Sequence, residues 1–230
     1  MSTGPAGPAS LPLPNLPRRI VLTGFMGAGK STVGRILAAR LRWPFLDTDS
    51  LITAEHGLTV AQIFAQDGEE HFRRIEAEAI ARVLDPLHED AVHQHDQAIV
   101  ALGGGAIETT AVRQLLFDSA LSGSPETSVP ATVTIFLSAP LAELLARCHV
   151  NASTSRETCA EETEKPPVRP LLTAPEPPED RLARRLPYYR QAHLTVDTAG
   201  IPPVEVVDRI LAWLAARDGS IPRPIDERPS

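Results

Sequence analysis

Residues 19–31 read Arg19-Ile20-Val21-Leu22-Thr23-Gly24-Phe25-Met26-Gly27-Ala28-Gly29-Lys30-Ser31. The first five are β-branched or aliphatic apart from Arg19, which suits a strand buried in a parallel sheet. Gly24 to Ser31 then match the spacing of a phosphate-binding loop, between a predicted strand and a helix predicted over Lys30 to Leu41, and that context confirms the motif. Glycines let such a loop curl so that successive backbone N–H groups point at phosphate oxygens, and the helix start adds partial positive charge. Gly27, Ala28 and Gly29 are the candidate cradle. Lys30 is placed to reach the β- and γ-phosphates, Ser31 to offer a hydroxyl oxygen to Mg²⁺, and Thr32 to add a contact in the first helical turn.

Outward from this loop the pattern alternates. Pro44 to Asp47 reads as a second strand, helical periodicity runs from Ser50 to Val83 with a break near Asp67-Gly68, and Gln97 to Leu102 and Thr132 to Leu137 read as further strands. His193 to Val196 supplies a fifth, and Val204 to Ala216 a last helix. Five strands with crossover helices predict a three-layer α/β domain around a parallel sheet. No repeat at solenoid spacing is present, and Asp85–Asp96, Ser119–Pro130 and Val150–Asp180 interrupt the pattern with polar, proline-rich or charged residues.

The chain has 230 residues, 43% of them hydrophobic, which suits one domain with a sizeable core over residues 18–217. Residues 1–17, with Pro5, Pro8, Pro12, Pro14 and Pro17, read as a flexible leader, and 218–230 as a tail. A net charge of −7 argues against a nucleic-acid or membrane-surface partner, since both attract a basic face. No signal sequence and no bilayer-length apolar run is seen. Cys148 and Cys159 lack the spacing of a disulfide framework or zinc site, which fits a reducing cytosol. The Asn151-Ala152-Ser153 triplet reads as a chance glycosylation match, and His93, His95 and Asp96 as a solvated loop rather than a metal cluster.

A phosphate loop is shared by GTPases, motor ATPases and metabolite kinases, so partner motifs decide among them. No Asn-Lys-x-Asp run is present to read guanine, and the chain is short for a motor ATPase. Asp47 and Asp49 close the second strand, where strand alternation would turn both toward the carboxyl end of the sheet. One could hold Mg²⁺ through water and the other could accept a substrate hydroxyl proton; the plainer reading of Asp-Thr-Asp is a turn with a helix N-cap.

Six runs occur in order: the phosphate loop, Phe45-Leu46-Asp47-Thr48-Asp49, Asp67-Gly68-Glu69 with Phe72-Arg73-Arg74 and Glu76, Leu102-Gly103-Gly104-Gly105-Ala106, Arg169-Pro170-Leu171-Leu172, and Arg185-Leu186-Pro187-Tyr188-Tyr189. Together they resemble the shikimate kinase family over about Ile20 to Leu214. The resemblance implies a fold like that of nucleoside-monophosphate kinases and transfer of the ATP γ-phosphate to the 3-hydroxyl of shikimate, by a cytoplasmic monomer whose partners are ATP and shikimate. It implies that Asp49 binds the substrate hydroxyls while Arg73 and Arg185 hold its carboxylate. Gly103, Gly104 and Gly105 would let backbone approach the substrate, and Asp47 would position Mg²⁺ through water. Lys30, Asp49 and Arg169 would be catalytic, Arg169 closing on the γ-phosphate from a lid and Arg147 covering the adenine.

Arg73 and Arg74 point about 100° apart on a helix, so only one can face the site. Arg73 is that one, with Glu76 on its face to orient it, while Arg74 is expected to pair with Glu78 at the surface. The chain departs from the family in its extended lid region, 148–180. From Val150 to Asp180 seven acidic residues face three basic ones with few large apolar groups, a composition expected of a solvated spacer. Two rivals remain at this level: another metabolite kinase such as a gluconate kinase, and a regulator that binds nucleotide or shikimate without turnover. The first would lack the Asp47/Asp49, Arg73 and Arg185 set; intact Lys30, Ser31, Asp47 and Arg169 weigh against the second.

Overall fold

A computed structural model describes residues 16–84, 97–117, 132–148 and 176–216. Strand β1 (Arg19–Thr23) leads through the phosphate loop into α1 (Lys30–Leu41), followed by β2 (Phe45–Asp47), α2 (Thr48–His56) and α3 (Val60–Leu84). Then come β3 (Ala98–Ala101), a 3₁₀ turn (Ala106–Glu108), α4 (Thr110–Phe117), β4 (Thr132–Ser138) and a helix, α5, over residues 141–148. The chain closes with α6 (Pro178–Tyr189), β5 (Leu194–Asp197) and α7 (Pro203–Ala215). The expected α/β class, with one five-stranded parallel sheet, is what forms; its order is β2-β3-β1-β4-β5.

Every residue of β1 and β3 is buried, as continuous apolar runs covered on both faces require. On α1 the buried residues are Val33, Gly34, Leu37 and Ala38, one stripe of the helix, and it lies against the sheet with α7 beside it. Register matters most for the site. Leu22 and Asp47 both pair with Ala101, so β1, β2 and β3 end level and their following loops open at one height. A parallel sheet with all carboxyl ends together builds its ligand crevice there.

Two predicted boundaries move. The helical stretch from Ser50 to Val83 is two helices, because Gly57 adopts φ 66° and caps α2. The expected break near Gly68 is present as a kink inside α3, with φ 83° at that glycine. At the N-terminus, Leu16 packs on the core and Pro17 is buried, although both fall within the expected leader. Most of the lid region, including Cys159, the Asn151 triplet and Arg169, lies outside the described residues, as do residues 93–96. Among the described residues, no helix is long and apolar enough to cross a membrane.

Ile135 on β4 is fully buried between β1 and β5, whereas Val204 on α7 is 46% exposed. Ile135→Ala should therefore lower the unfolding free energy by about 2–5 kcal/mol, and Val204→Ala by no more than about 0.5 kcal/mol, in urea titrations with unchanged slope.

Candidate active site

The phosphate loop is held by its glycines: Gly24, Gly27 and Gly29 all have positive φ, and Gly29 is the N-cap of α1. At Gly27, φ 77°, a Cβ would also stand 2.1 Å from the Leu144 carbonyl oxygen of α5, so only glycine fits. Lys30 Nζ donates to the carbonyls of Gly24 and Phe25 at 2.9 and 3.1 Å, which curls the ammonium back over the loop. Ala28 is buried beneath the loop, while Thr32 is exposed in the first turn of α1.

Ser31 Oγ donates to Asp47 Oδ2 at 2.8 Å, bringing the first turn of α1 to the end of β2. Asp47 also caps α2, its Oδ1 accepting from the Ser50 N–H at 3.4 Å. The N-cap and site readings of Asp47 thus coexist. Asp49 does not lie on the strand: it sits in the first turn of α2, so strand alternation is not what directs it. Helix geometry instead carries its carboxylate to Gly103, where a Cβ would stand 2.7 Å from Asp49 Oδ1 and 2.5 Å from Glu76 Oε1. The Thr48 hydroxyl accepts from the Gly103 N–H at 3.0 Å and ties α2 to the same turn.

Both expected guanidinium groups meet that glycine turn. Arg73 Nη1 donates to Glu76 Oε2 at 2.7 Å and Nη2 to Glu69 Oε1 at 3.2 Å, and a Cβ on Gly105 would be only 2.3 Å from Nη2. Arg185 arrives from α6; its Nη1 donates to the Gly104 carbonyl at 3.1 Å, and its Cζ stands 5.7 Å from the Phe25 ring centroid. The Tyr189 hydroxyl donates to the same carbonyl at 2.6 Å. A Cβ on Gly104 would lie 3.6 Å from Gly24 O and Met26 N, so the turn that gathers Asp49, Arg73 and Arg185 directly adjoins the phosphate loop.

Sequence reading missed three contributors. Thr48 and Tyr189 stood inside the quoted runs without a role, and Glu108, which accepts from Arg185 Nε at 2.8 Å, had no motif to mark it. Arg74 is corrected: its guanidinium lies 3.0 Å from His71 Nδ1, not on Glu78. Arg147 donates to the Thr198 hydroxyl and carbonyl at 3.0 and 2.6 Å, bridging α5 to the end of β5. Its neighbour Cys148, buried, packs with Leu144 on Gly27, which sets α5 on the phosphate loop.

Glu76 is 1% exposed, and among the described residues its Oε1 has no hydrogen-bond partner. Burial pushes its pKa from 4.5 up to about 7, with Arg73 opposing and Asp49 reinforcing the rise. Between those values the folded chain keeps a proton that the unfolded chain has released, so this group makes stability fall as pH rises through the window, by up to ~1.4 kcal/mol per pH unit. The unfolding free energy of the parent minus that of Glu76→Gln should therefore decrease from pH 5 to pH 7 in urea titrations. A difference independent of pH would mean that Glu76 is ionised throughout.

A family model described as shikimate kinase matches residues 26–215. The shikimate kinase of Moorella thermoacetica is 36% identical over 209 residues, covering 86% of this chain and 98% of that protein. That of Geobacter metallireducens is 32% identical, covering 91% and 98%. Among solved structures, the shikimate kinase from Acinetobacter baumannii in complex with shikimate superposes with a TM-score of 0.66 at 28% identity, over 87% of this chain and 94% of that one. The phosphate loop, the glycine turn with its two arginines and these matches over most of the sequence lead to one conclusion: the chain belongs to the shikimate kinase family.

Proposed function

We propose that the chain transfers the γ-phosphate of ATP to the 3-hydroxyl of shikimate, binding the substrate carboxylate through Arg73 and Arg185 and its hydroxyls through Asp49. The observation that carries this reading is the Gly103–Gly105 turn, where an acid and two guanidinium groups from three different helices meet beside the phosphate loop. A planar guanidinium matches a carboxylate in shape and charge, and each such charge-assisted bond is worth roughly 1.5–3 kcal/mol.

The division of labour follows from position. Phosphoryl transfer asks for alignment and charge neutralisation rather than covalent help. Backbone N–H groups of Gly27, Ala28 and Gly29, with Lys30 and Thr32, take the phosphates, and Lys30 follows the charge that moves onto the bridging oxygen. Asp49 accepts the proton of the attacking hydroxyl. Arg147, on the helix α5 that packs against the phosphate loop, takes the adenine face, and Arg169 from the lid neutralises the transferring group. Ser31 and Asp47 present two hard oxygens 2.8 Å apart, a donor set that fits Mg²⁺ held by the hydroxyl and, through water, by the carboxylate. Such an ion would offset negative charge on the β- and γ-phosphates. A monomer working in the cytosol suits the acidic chain.

Two measurements check this. In a coupled ADP-release assay at saturating Mg²⁺-ATP, shikimate should stimulate turnover far above gluconate or quinate; equal stimulation by gluconate would remove the substrate assignment. Lys30→Ala should lower kcat by at least about 10²-fold, as lost oxyanion donors do. Arg73→Ala and Arg185→Ala should instead raise the KM of shikimate and spare that of ATP, and loss of ATP binding by folded Arg185→Ala would place that residue in the wrong site.

A further inference from the structure

Arg185 is held by more than the glycine turn. Its side chain is 2% exposed, and one oxygen of Glu108 accepts from Nε at 2.8 Å and lies 2.6 Å from Nη2 as an ion pair. Nη1 donates to the Gly104 carbonyl, and the guanidinium also interacts with the Tyr189 hydroxyl, so Arg185 is held on several sides within the glycine turn. Glu108 is the last residue of the 3₁₀ turn that follows the glycines, so the support comes from outside α6. Its other oxygen accepts from Arg184 Nε at 2.7 Å, and Arg184 continues to both oxygens of Glu176, at 2.5 and 3.0 Å. Burial alone would raise the Glu108 carboxyl, but Arg185 and Arg184 outweigh it and leave its pKa below the ordinary value.

We propose that Glu108 is a positioning residue for substrate binding: by gripping the Nε/Nη2 edge, it fixes the plane of Arg185 so that the guanidinium meets the substrate carboxylate. The inference rests on the reading that Arg185 receives that carboxylate. The other role open to an acid on this arginine is competition, in which Glu108 occupies the fork until substrate displaces it. The geometry favours positioning. Glu108 takes the side edge with a single oxygen, and swinging it away would also strip Arg184 of a partner.

The test is steady-state kinetics of full-length Glu108→Ala, Glu108→Gln, Glu108→Asp and Arg185→Ala, with thermal melts to confirm folding. Positioning needs reach more than charge, since a buried arginine edge asks for an oxygen at the right distance. The KM of shikimate should rise about tenfold in Glu108→Ala and by a similar factor in Glu108→Asp, whose carboxylate is one methylene short. Glu108→Gln, which keeps an oxygen at full reach, should stay within about threefold of the parent, and the KM of ATP within about twofold in all three. An unchanged or lowered shikimate KM in Glu108→Ala would overturn the proposal, the lowered value indicating competition. A parent-like Glu108→Asp beside an impaired Glu108→Gln would overturn it in favour of charge alone, and this pair decides the matter if the alanine variant does not fold. Arg185→Ala separates the two claims: if it leaves the shikimate KM unchanged, the carboxylate assignment fails, whereas a raised value beside a parent-like Glu108→Ala defeats only the positioning role.

Discussion

Two guanidinium groups held out of bulk water at one glycine turn form the arrangement on which the rest of the site depends. Removing a cation from water costs several kcal/mol unless hydrogen bonds and opposite charge replace the solvent. Here Glu76 and Glu69 do this for Arg73, and Glu108 with the Gly104 carbonyl does it for Arg185. This compensation is how a site can be stable by itself and still bind an anion. It also explains the glycines: side chains at 103 and 105 would occupy the space that Asp49, Glu76 and Arg73 fill.

The sheet order makes this convergence possible. Strands β2 and β3 stand on one side of β1, β4 and β5 on the other, and the level ends of β1, β2 and β3 bring the phosphate loop, Asp47 and the glycine turn together. Helix α6 then crosses to deliver Arg185 and Tyr189, and Tyr189 stacks on Phe136 of β4 with ring centroids 4.9 Å apart. Acid, arginines and phosphate cradle therefore come from separate segments, each anchored in the core by its own apolar face. The site inherits its rigidity from packing rather than from one long loop.

Much of this was legible in the sequence, and the reasons differ by element. Strands β1, β3 and β4 are buried on both faces, so composition alone marked them; the phosphate loop carried a spacing that few other structures need. Gly57, whose φ of 66° ends α2, is hard to read in the sequence because it sits within an otherwise helical pattern. Helix α6 was hidden by Pro187, and yet Pro178 followed by Glu179 and Asp180 is a helix start in residue type. Asp49 was assigned correctly to the carboxyl end of β2 but for a strand reason, when the chain had already turned into α2. Glu108 was illegible because its partner lies 77 residues away, and nothing local announces such a pair.

If Arg73 and Arg185 read the substrate's carboxylate, as proposed, changing the substrate rather than the enzyme exposes it. Shikimate and its methyl ester carry the same ring hydroxyls, but only the acid carries an anion that Arg73 and Arg185 could read. With two charge-assisted contacts of about 1.5–3 kcal/mol each at stake, kcat/KM for the ester should fall by at least about 10²-fold in the parent. In a variant carrying both Arg73→Ala and Arg185→Ala, acid and ester should be turned over at similar low efficiency. Equal turnover of acid and ester by the parent enzyme would mean that the arginines do not read the carboxylate.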